Sequence, residues 1–285
     1  MEFFHGWSRN KKIEWIRKNA STQSIRNALA KLFQPPSDTN YAYSRMDDVH
    51  PFPIFMEPHM VRIGTIPDGS CFYHTILRAI SNLYFSKTKK KRQIHARQFR
   101  KKMQEKMTLD VFHSLGNGQV ALSKTLEVVR PYLDMLYPDE KVMDTIIDNK
   151  AKSYNEWEHK LIQTLQPILE PENQYMLKPI LDQAHVLAYS QFIEEIGEEY
   201  ASNDVVEFVS NEKNIDIYFV DAHTHEPYRT ADDCSIIYKH RPSIFILYLN
   251  RHYELLGRPK ADGTFTIKFS PRDPLVLAYY RLLCS

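Results

Sequence analysis

A chain of 285 residues with 43% hydrophobic and 25% charged side chains has an ordinary globular composition and enough length to bury a sizeable core, which excludes collagen-like, disordered and membrane-bundle classes. Its 37 basic and 35 acidic residues leave a formal net charge of +2, so no polycationic field favours nucleic acid. Three scattered cysteines, Cys71, Cys234 and Cys284, argue against a disulfide framework or a zinc knuckle and, with no apolar leader at the N-terminus, point to a reducing compartment, cytoplasmic or nuclear.

Residues 1–58 read as an N-terminal extension. A helical pattern through Ile13, Ile16, Ile25 and Leu29 stops at Pro35-Pro36, and a tyrosine- and proline-rich stretch runs to Pro58. A short extended run follows from Val61, then a turn over Ile66–Ser70, then a helix with Phe72, Ile76, Ile80 and Leu83 on its buried face. Lys87 to Lys102 is dense in cations, yet Ala96, Phe99, Met103 and Met107 recur at helical spacing, which predicts a helix with one solvated basic face.

The middle, about 118–197, reads as helical throughout. Leu122, Leu126, Val129, Leu133 and Leu136 form one stripe, kinked at Pro131, and Trp157, Leu161, Leu165 and Ile168 form another. Gly116-Asn117-Gly118-Gln119-Val120-Ala121 formally fits a dinucleotide fingerprint, but that site needs a strand before it and a parallel strand after it. The period then changes to that of strands at Ile215–Asp221, Ser235–Tyr238, Ile244–Leu249 and Thr264–Phe269. Leu275 to Cys284 is about half the roughly 20 residues of a membrane span and reads as a terminal packing element. The result is an α+β class, a small central sheet flanked by helices with an enlarged helical region. His223-Thr224-His225 lacks the further ligands of a zinc site, and no metal or organic cofactor is called for.

The strongest chemical feature is Asp68-Gly69-Ser70-Cys71 entering a helix. A thiol there meets unpaired backbone N–H groups and the positive end of the helix dipole, so its pKa is expected below the free value of roughly 8.5. Gly69 permits a tight turn, and the amides of the loop and of Cys71 itself are placed to hold an oxyanion. His252, following the apolar run 244–249, is the best base; Glu254 shares its face two residues on and Asn250 two residues back, each able to orient the imidazole.

Taken together, Asp68-Gly69-Ser70-Cys71-Phe72, the stretch Gly197 to Asp221, and His252-Tyr253-Glu254 resemble the ovarian-tumour (OTU) family of papain-like cysteine proteases, most of them deubiquitinases, with eukaryotic, bacterial and viral members. The resemblance covers about 61–257 and implies a papain-like OTU fold. Cys71 would be the nucleophile, His252 the general base, Glu254 its orienter, and Asp68 the acid of the nucleophile loop; the third triad member stays open among Glu254, Asp68 and Asn250. Two departures from the family pattern are Tyr200-Ala201 in place of Trp-Gly and Glu254 in place of Asp or Asn.

On this reading residues 1–58 are an extension, 59–257 the protease domain, and 258–285 a C-terminal strand and tail packing on it. The implied partner is ubiquitin or a ubiquitin-like modifier, bound by a monomer without nucleic acid or membrane. The modifier's arginine-bearing tail suits the acidic segment Glu194 to Glu207, in which Glu199 and Asp204 are expected to face substrate. Gly69, Ser70, Asn250 and Tyr253 are the other residues expected there. The alternative is a catalytically weak ubiquitin-binding module of the same fold; a thiol acyltransferase is a third class.

Overall fold

The computed structural model describes residues 43–136, 153–167, 171–198, 201–228, 238–249 and 252–284. The helical pattern of residues 13–29 and most of the extended run 235–238 lie outside them. The chain is a mixed α+β protein, and its described residues fall in two compact units, those within 1–99 and 209–285, and those within 100–208.

The first unit is built on one mixed sheet. Strands β1 (Val49–Pro51), β2 (Val61–Ile63), β3 (Asp216–Asp221), β4 (Pro227–Tyr228), β5 (Ser243–Leu249) and β6 (His252–Pro259) lie in the order β1-β2-β6-β5-β3-β4, with β7 (Phe265–Thr266) on β6. Among the described residues only β3 and β5 run parallel; the other pairs are antiparallel. β5 is apolar at nearly every position and therefore central, covered on both faces. Phe245, Leu247 and Leu249 pack with Tyr218, Val220 and Leu256 under the C-terminal helix α8 (Pro274–Leu283), through Leu275, Val276 and Tyr279. Asp273 caps α8 by accepting from the Leu275 N–H at 2.9 Å. Leu255, with Val61 and Ile63, faces the opposite way, towards Ala79 of helix α1 (Cys71–Ile80). Residues 43–58 add β1 and the core side chains Phe52, Ile54 and Phe55 to this unit.

The expected long buried face of α1 is corrected at its far end, where Ile80 is 36% exposed. The helix stops at Ile80, where Ser81 is extended and donates its N–H to Leu77 O, so Leu83 is 72% exposed. Phe72, Tyr73, Ile76 and Leu77 are among the side chains it buries. Cys71 is free, while Cys284, after the last turn of α8, is disulfide-bonded, which departs from the all-thiol expectation and is unusual in a reducing compartment.

The chain passes to the second unit within α2 (Lys89–Lys106) and returns within α7 (Asn203–Lys213). Between them lie α3 (Leu109–Ser114), a 3-10 turn (Leu115–Gly118), α4 (Gln119–Leu136), α5 (Tyr154–Leu165) and α6 (Pro171–Glu198). Val129, Leu133, Trp157, Leu161 and Leu165 are buried as their spacing predicts, and α4 continues through Pro131. The Gly116-x-Gly118 segment follows a helix, and the Gly116 N–H donates to both oxygens of Glu207 at 3.1 and 3.0 Å. That amide already holds a carboxylate, and the dinucleotide context is absent. Among the described residues no helix is long and apolar enough to cross a membrane.

Candidate active site

The site lies within the first unit, where the start of α1 meets β6. β2 pairs with β6 only as far as Ile63 opposite Leu255, which leaves the His252–Glu254 end of β6 open to other partners. Thr65 Oγ1 donates to the Tyr253 carbonyl at 2.6 Å, and Thr75 Oγ1, one turn into α1, approaches the same oxygen at 3.4 Å. These bonds hold the helix start against the strand. The Tyr253 ring is buried among Phe72, Phe219 and Tyr248, with centroids 5.7, 5.8 and 5.7 Å away. Tyr253 therefore packs in the core; what meets the start of α1 is its backbone carbonyl, bonded by Thr65 and approached by Thr75.

Cys71 is the first residue of α1 and is 1% exposed. The lowered pKa expected from the helix terminus is overturned. Burial pushes the thiol up to about 11; the N–H groups of Tyr253, Phe72 and Cys71 itself pull the other way, and Asp68 adds to the rise. The expected oxyanion donors are also engaged. Asp68 folds back on the loop, taking the Ser70 N–H on its carboxylate at 2.9 Å and the Cys71 N–H on its carbonyl at 3.0 Å. Gly69 is outside the left-handed region, and a Cβ built on it meets nothing within 4 Å, so the turn does not demand glycine; the open space is what it supplies.

Asp68 is shared by a histidine other than the expected one. His74 Nε2 lies 3.2 Å from Asp68 Oδ1 and 3.3 Å from Oδ2, its Nδ1 bonds the Tyr84 hydroxyl, and Gln93 reaches Oδ2 at 3.4 Å. Burial acts to raise the Asp68 pKa, but His74, the Ser70 N–H and Gln93 outweigh it and hold the carboxyl below its ordinary value. His74 stands three residues into α1 from Cys71, and Tyr84 lies beyond the end of that helix.

His252 is 3% exposed at the start of β6, paired with Leu249, and the ring of Tyr43 lies 4.6 Å from its own. Its Nε2 is buried without a hydrogen-bond partner and lies 3.9 Å from Glu254 Oε1. Burial pulls the imidazole down to about 4, with Asp68 working upward and His74 downward. Glu254 is fully buried. Burial raises its pKa, opposed by the Ser44 amide, Arg62, the Ser44 hydroxyl and His50. Of the three candidates for the third triad member, Glu254 faces Nε2, Asp68 acts on His252 electrostatically while bonded to His74, and Asn250 lies outside the described residues.

The acidic segment has partners of its own in the second unit. Lys124 Nζ lies 3.1 Å from Glu195 and 3.9 Å from Asp204, and Glu207 holds the Gly116 N–H. Burial raises the Asp204 pKa against the pull of Lys124, with Glu195 and Glu127 adding to the rise. Glu199 lies outside the described residues. Among those described, no group of three or more His, Cys, Asp and Glu side chains is arranged to hold a metal ion.

No protein-family model and no curated protein matches the chain.

Proposed function

We propose that the chain is a thiol-dependent deubiquitinase of OTU type, hydrolysing the isopeptide or peptide bond after the C-terminal glycine of ubiquitin or a ubiquitin-like modifier. The observation that carries this reading is the seating of the first turn of α1, which Cys71 opens, on the strand segment His252–Glu254: Thr75 Oγ1 donates to the Cys71 carbonyl at 2.9 Å and approaches the Tyr253 carbonyl at 3.4 Å, and the Phe72 ring lies 5.7 Å from that of Tyr253. In the proposed reaction His252 takes the thiol proton, the sulfur attacks the glycine carbonyl, and the protonated imidazole gives the proton to the leaving amine. Water, activated by the same imidazole, then releases the acyl group. Because Nε2 is turned to Glu254, Nδ1 is the nitrogen assigned to proton transfer.

The Ser70 and Cys71 amides are donated to Asp68 in this state, so the oxyanion is assigned to the open space beside Gly69 and to loop amides that turn when the tail binds. The modifier is the proposed partner, the protein acts as a monomer in the cytoplasm or nucleus, and no cofactor takes part. Burial of both Cys71 and His252 favours one second reading, a catalytically weak ubiquitin-binding module of the same fold.

A panel of differently linked di-ubiquitins separates the two. The full chain is expected to cleave at least one linkage, and Cys71→Ala to cleave none while retaining ubiquitin binding. Binding without cleavage of any linkage by the unaltered chain would support the module, and absence of both would remove ubiquitin from the reading.

A further inference from the structure

Both oxygens of the Glu254 carboxylate are held by one residue 210 positions earlier in the chain. The Ser44 N–H donates to Oε1 at 2.7 Å and the Ser44 hydroxyl to Oε2 at 3.1 Å. Glu254 is fully buried and Ser44 is 4% exposed, so these bonds are shielded from water, where a bond to a charged group counts most. Arg62 Nε stands 3.9 Å from Oε2.

The segment carrying Ser44 is seated by several independent contacts. The Asp47 N–H donates to Gly64 O at 3.0 Å, the Gly64 N–H returns a bond to Asp48 O at 2.9 Å, and the Asp47 carboxylate pairs with Arg78 and Arg92. At Gly64 a Cβ would lie 2.1 Å from the Arg45 carbonyl oxygen, so the close crossing of residue 45 over the end of β2 depends on glycine at that position. Tyr43, next in line, lies against the His252 ring.

We infer that Ser44 is a positioning residue of the proposed triad: it holds Glu254 with Oε1 towards His252 Nε2, making the chain ahead of β1 part of the site. The inference rests on the protease reading for its kinetic consequence, though not for its geometry. A carboxylate oxygen accepts at two positions, so the Ser44 N–H on Oε1 leaves one for His252, and the 3.9 Å separation is a contact that tightens when substrate is bound. Around Glu254 the charged and titratable groups are Arg62 and His50 from β2 and β1 and His252 from its own strand; around His252 they are Asp68 and His74. Losing the Ser44 hydroxyl removes one of the two bonds that hold the Glu254 carboxyl facing His252, and one of the influences opposing the rise that burial gives its pKa, so an imidazolium at His252 loses part of its support.

The test uses the full chain with Ser44→Ala and Ser44→Thr. Ser44→Ala is expected to lower kcat on a fluorogenic ubiquitin conjugate about five- to tenfold with KM within twofold, and Ser44→Thr, which keeps the hydroxyl, to restore it. A ubiquitin-independent readout accompanies it, the tautomer of His252 by nitrogen NMR on 15N-histidine protein. The proton is expected on Nε2 in the unaltered chain and to redistribute towards Nδ1 in Ser44→Ala. Redistribution in a protein that turns over no ubiquitin substrate would keep the role of Ser44 and sink the protease reading. An unchanged tautomer in Ser44→Ala would overturn the inference, as would a rise in turnover, which would mean that Ser44 holds Glu254 away from the histidine.

Discussion

Replacing His252 with alanine is expected to lower kcat/KM on a fluorogenic ubiquitin conjugate by about 10²–10⁴-fold, the usual contribution of a positioned general acid–base, and to change the shape of the pH profile. With the thiol at about 11 and the imidazole at about 4, the free protein holds a neutral thiol and a neutral imidazole through the whole neutral range. That form is lost on the acid side as His252 protonates. The unaltered chain is therefore expected to hold a flat kcat/KM between about pH 6 and 9 and to decline as pH falls towards 4. Without the imidazole the only nucleophile is pre-formed thiolate, so the residual rate of His252→Ala is expected to climb about tenfold per pH unit as pH rises towards 11. Stopped-flow or plate fluorescence across that range checks both. A flat profile in the variant would mean that some other group takes the proton, and His74, bonded to Asp68 one turn from Cys71, would be the first to replace.

The largest effect on stability is expected at Asp216, the first residue of β3. Its carboxylate is 1% exposed and accepts from the Lys239 N–H at 3.1 and 3.2 Å, the Arg241 N–H at 3.0 Å and Arg241 Nε at 2.7 Å. Arg241 in turn holds the Ser210 carbonyl at 3.1 Å and its hydroxyl at 2.7 Å, beside the end of α7. One carboxylate thus fastens the approach to β5 onto the start of its parallel neighbour β3, a pairing that no short hairpin can register. Asp216→Ala strands a guanidinium that is 10% exposed and leaves two backbone donors unpaired, a loss of about 3–5 kcal/mol for a buried pair broken on one side. Urea unfolding followed at the first unit should show a lower midpoint at constant slope, the product of the two giving that loss; a change under about 1 kcal/mol would show that water replaces the carboxylate at no cost.

What could be read from the sequence was local. Asp68-Gly69-Ser70-Cys71 announced a helix start because a turn followed by apolar residues at helical spacing has few other solutions, and Cys71 begins α1. His252 and Glu254 fell on a strand because β6 follows the apolar β5. What escaped was set by partners distant in sequence or by desolvation. The thiol pKa rises because burial exceeds the pull of nearby amides, and burial is a property of the folded chain. The loop amides were expected to await a substrate oxygen, yet Asp68 lies close enough to take them first. Tyr253 was expected at the substrate because it neighbours the histidine; strand alternation turns its ring inward onto Phe72 and Phe219. Asp204 was expected to face substrate from an acidic run, but Lys124 stands beside it. Ser44 had no sequence signal at all, since its partner is 210 residues away.

The most direct measurement is reaction of the full chain with ubiquitin carrying an electrophile at its C-terminal glycine, followed by mass-spectrometric location of the adduct. A single ubiquitin is expected on Cys71, absent in Cys71→Ala and slowed in His252→Ala, since the electrophile must reach the sulfur along the path of the scissile bond. An adduct on another residue, or one formed on Cys71 at equal speed by the electrophile without ubiquitin, would contradict a site built to receive that tail.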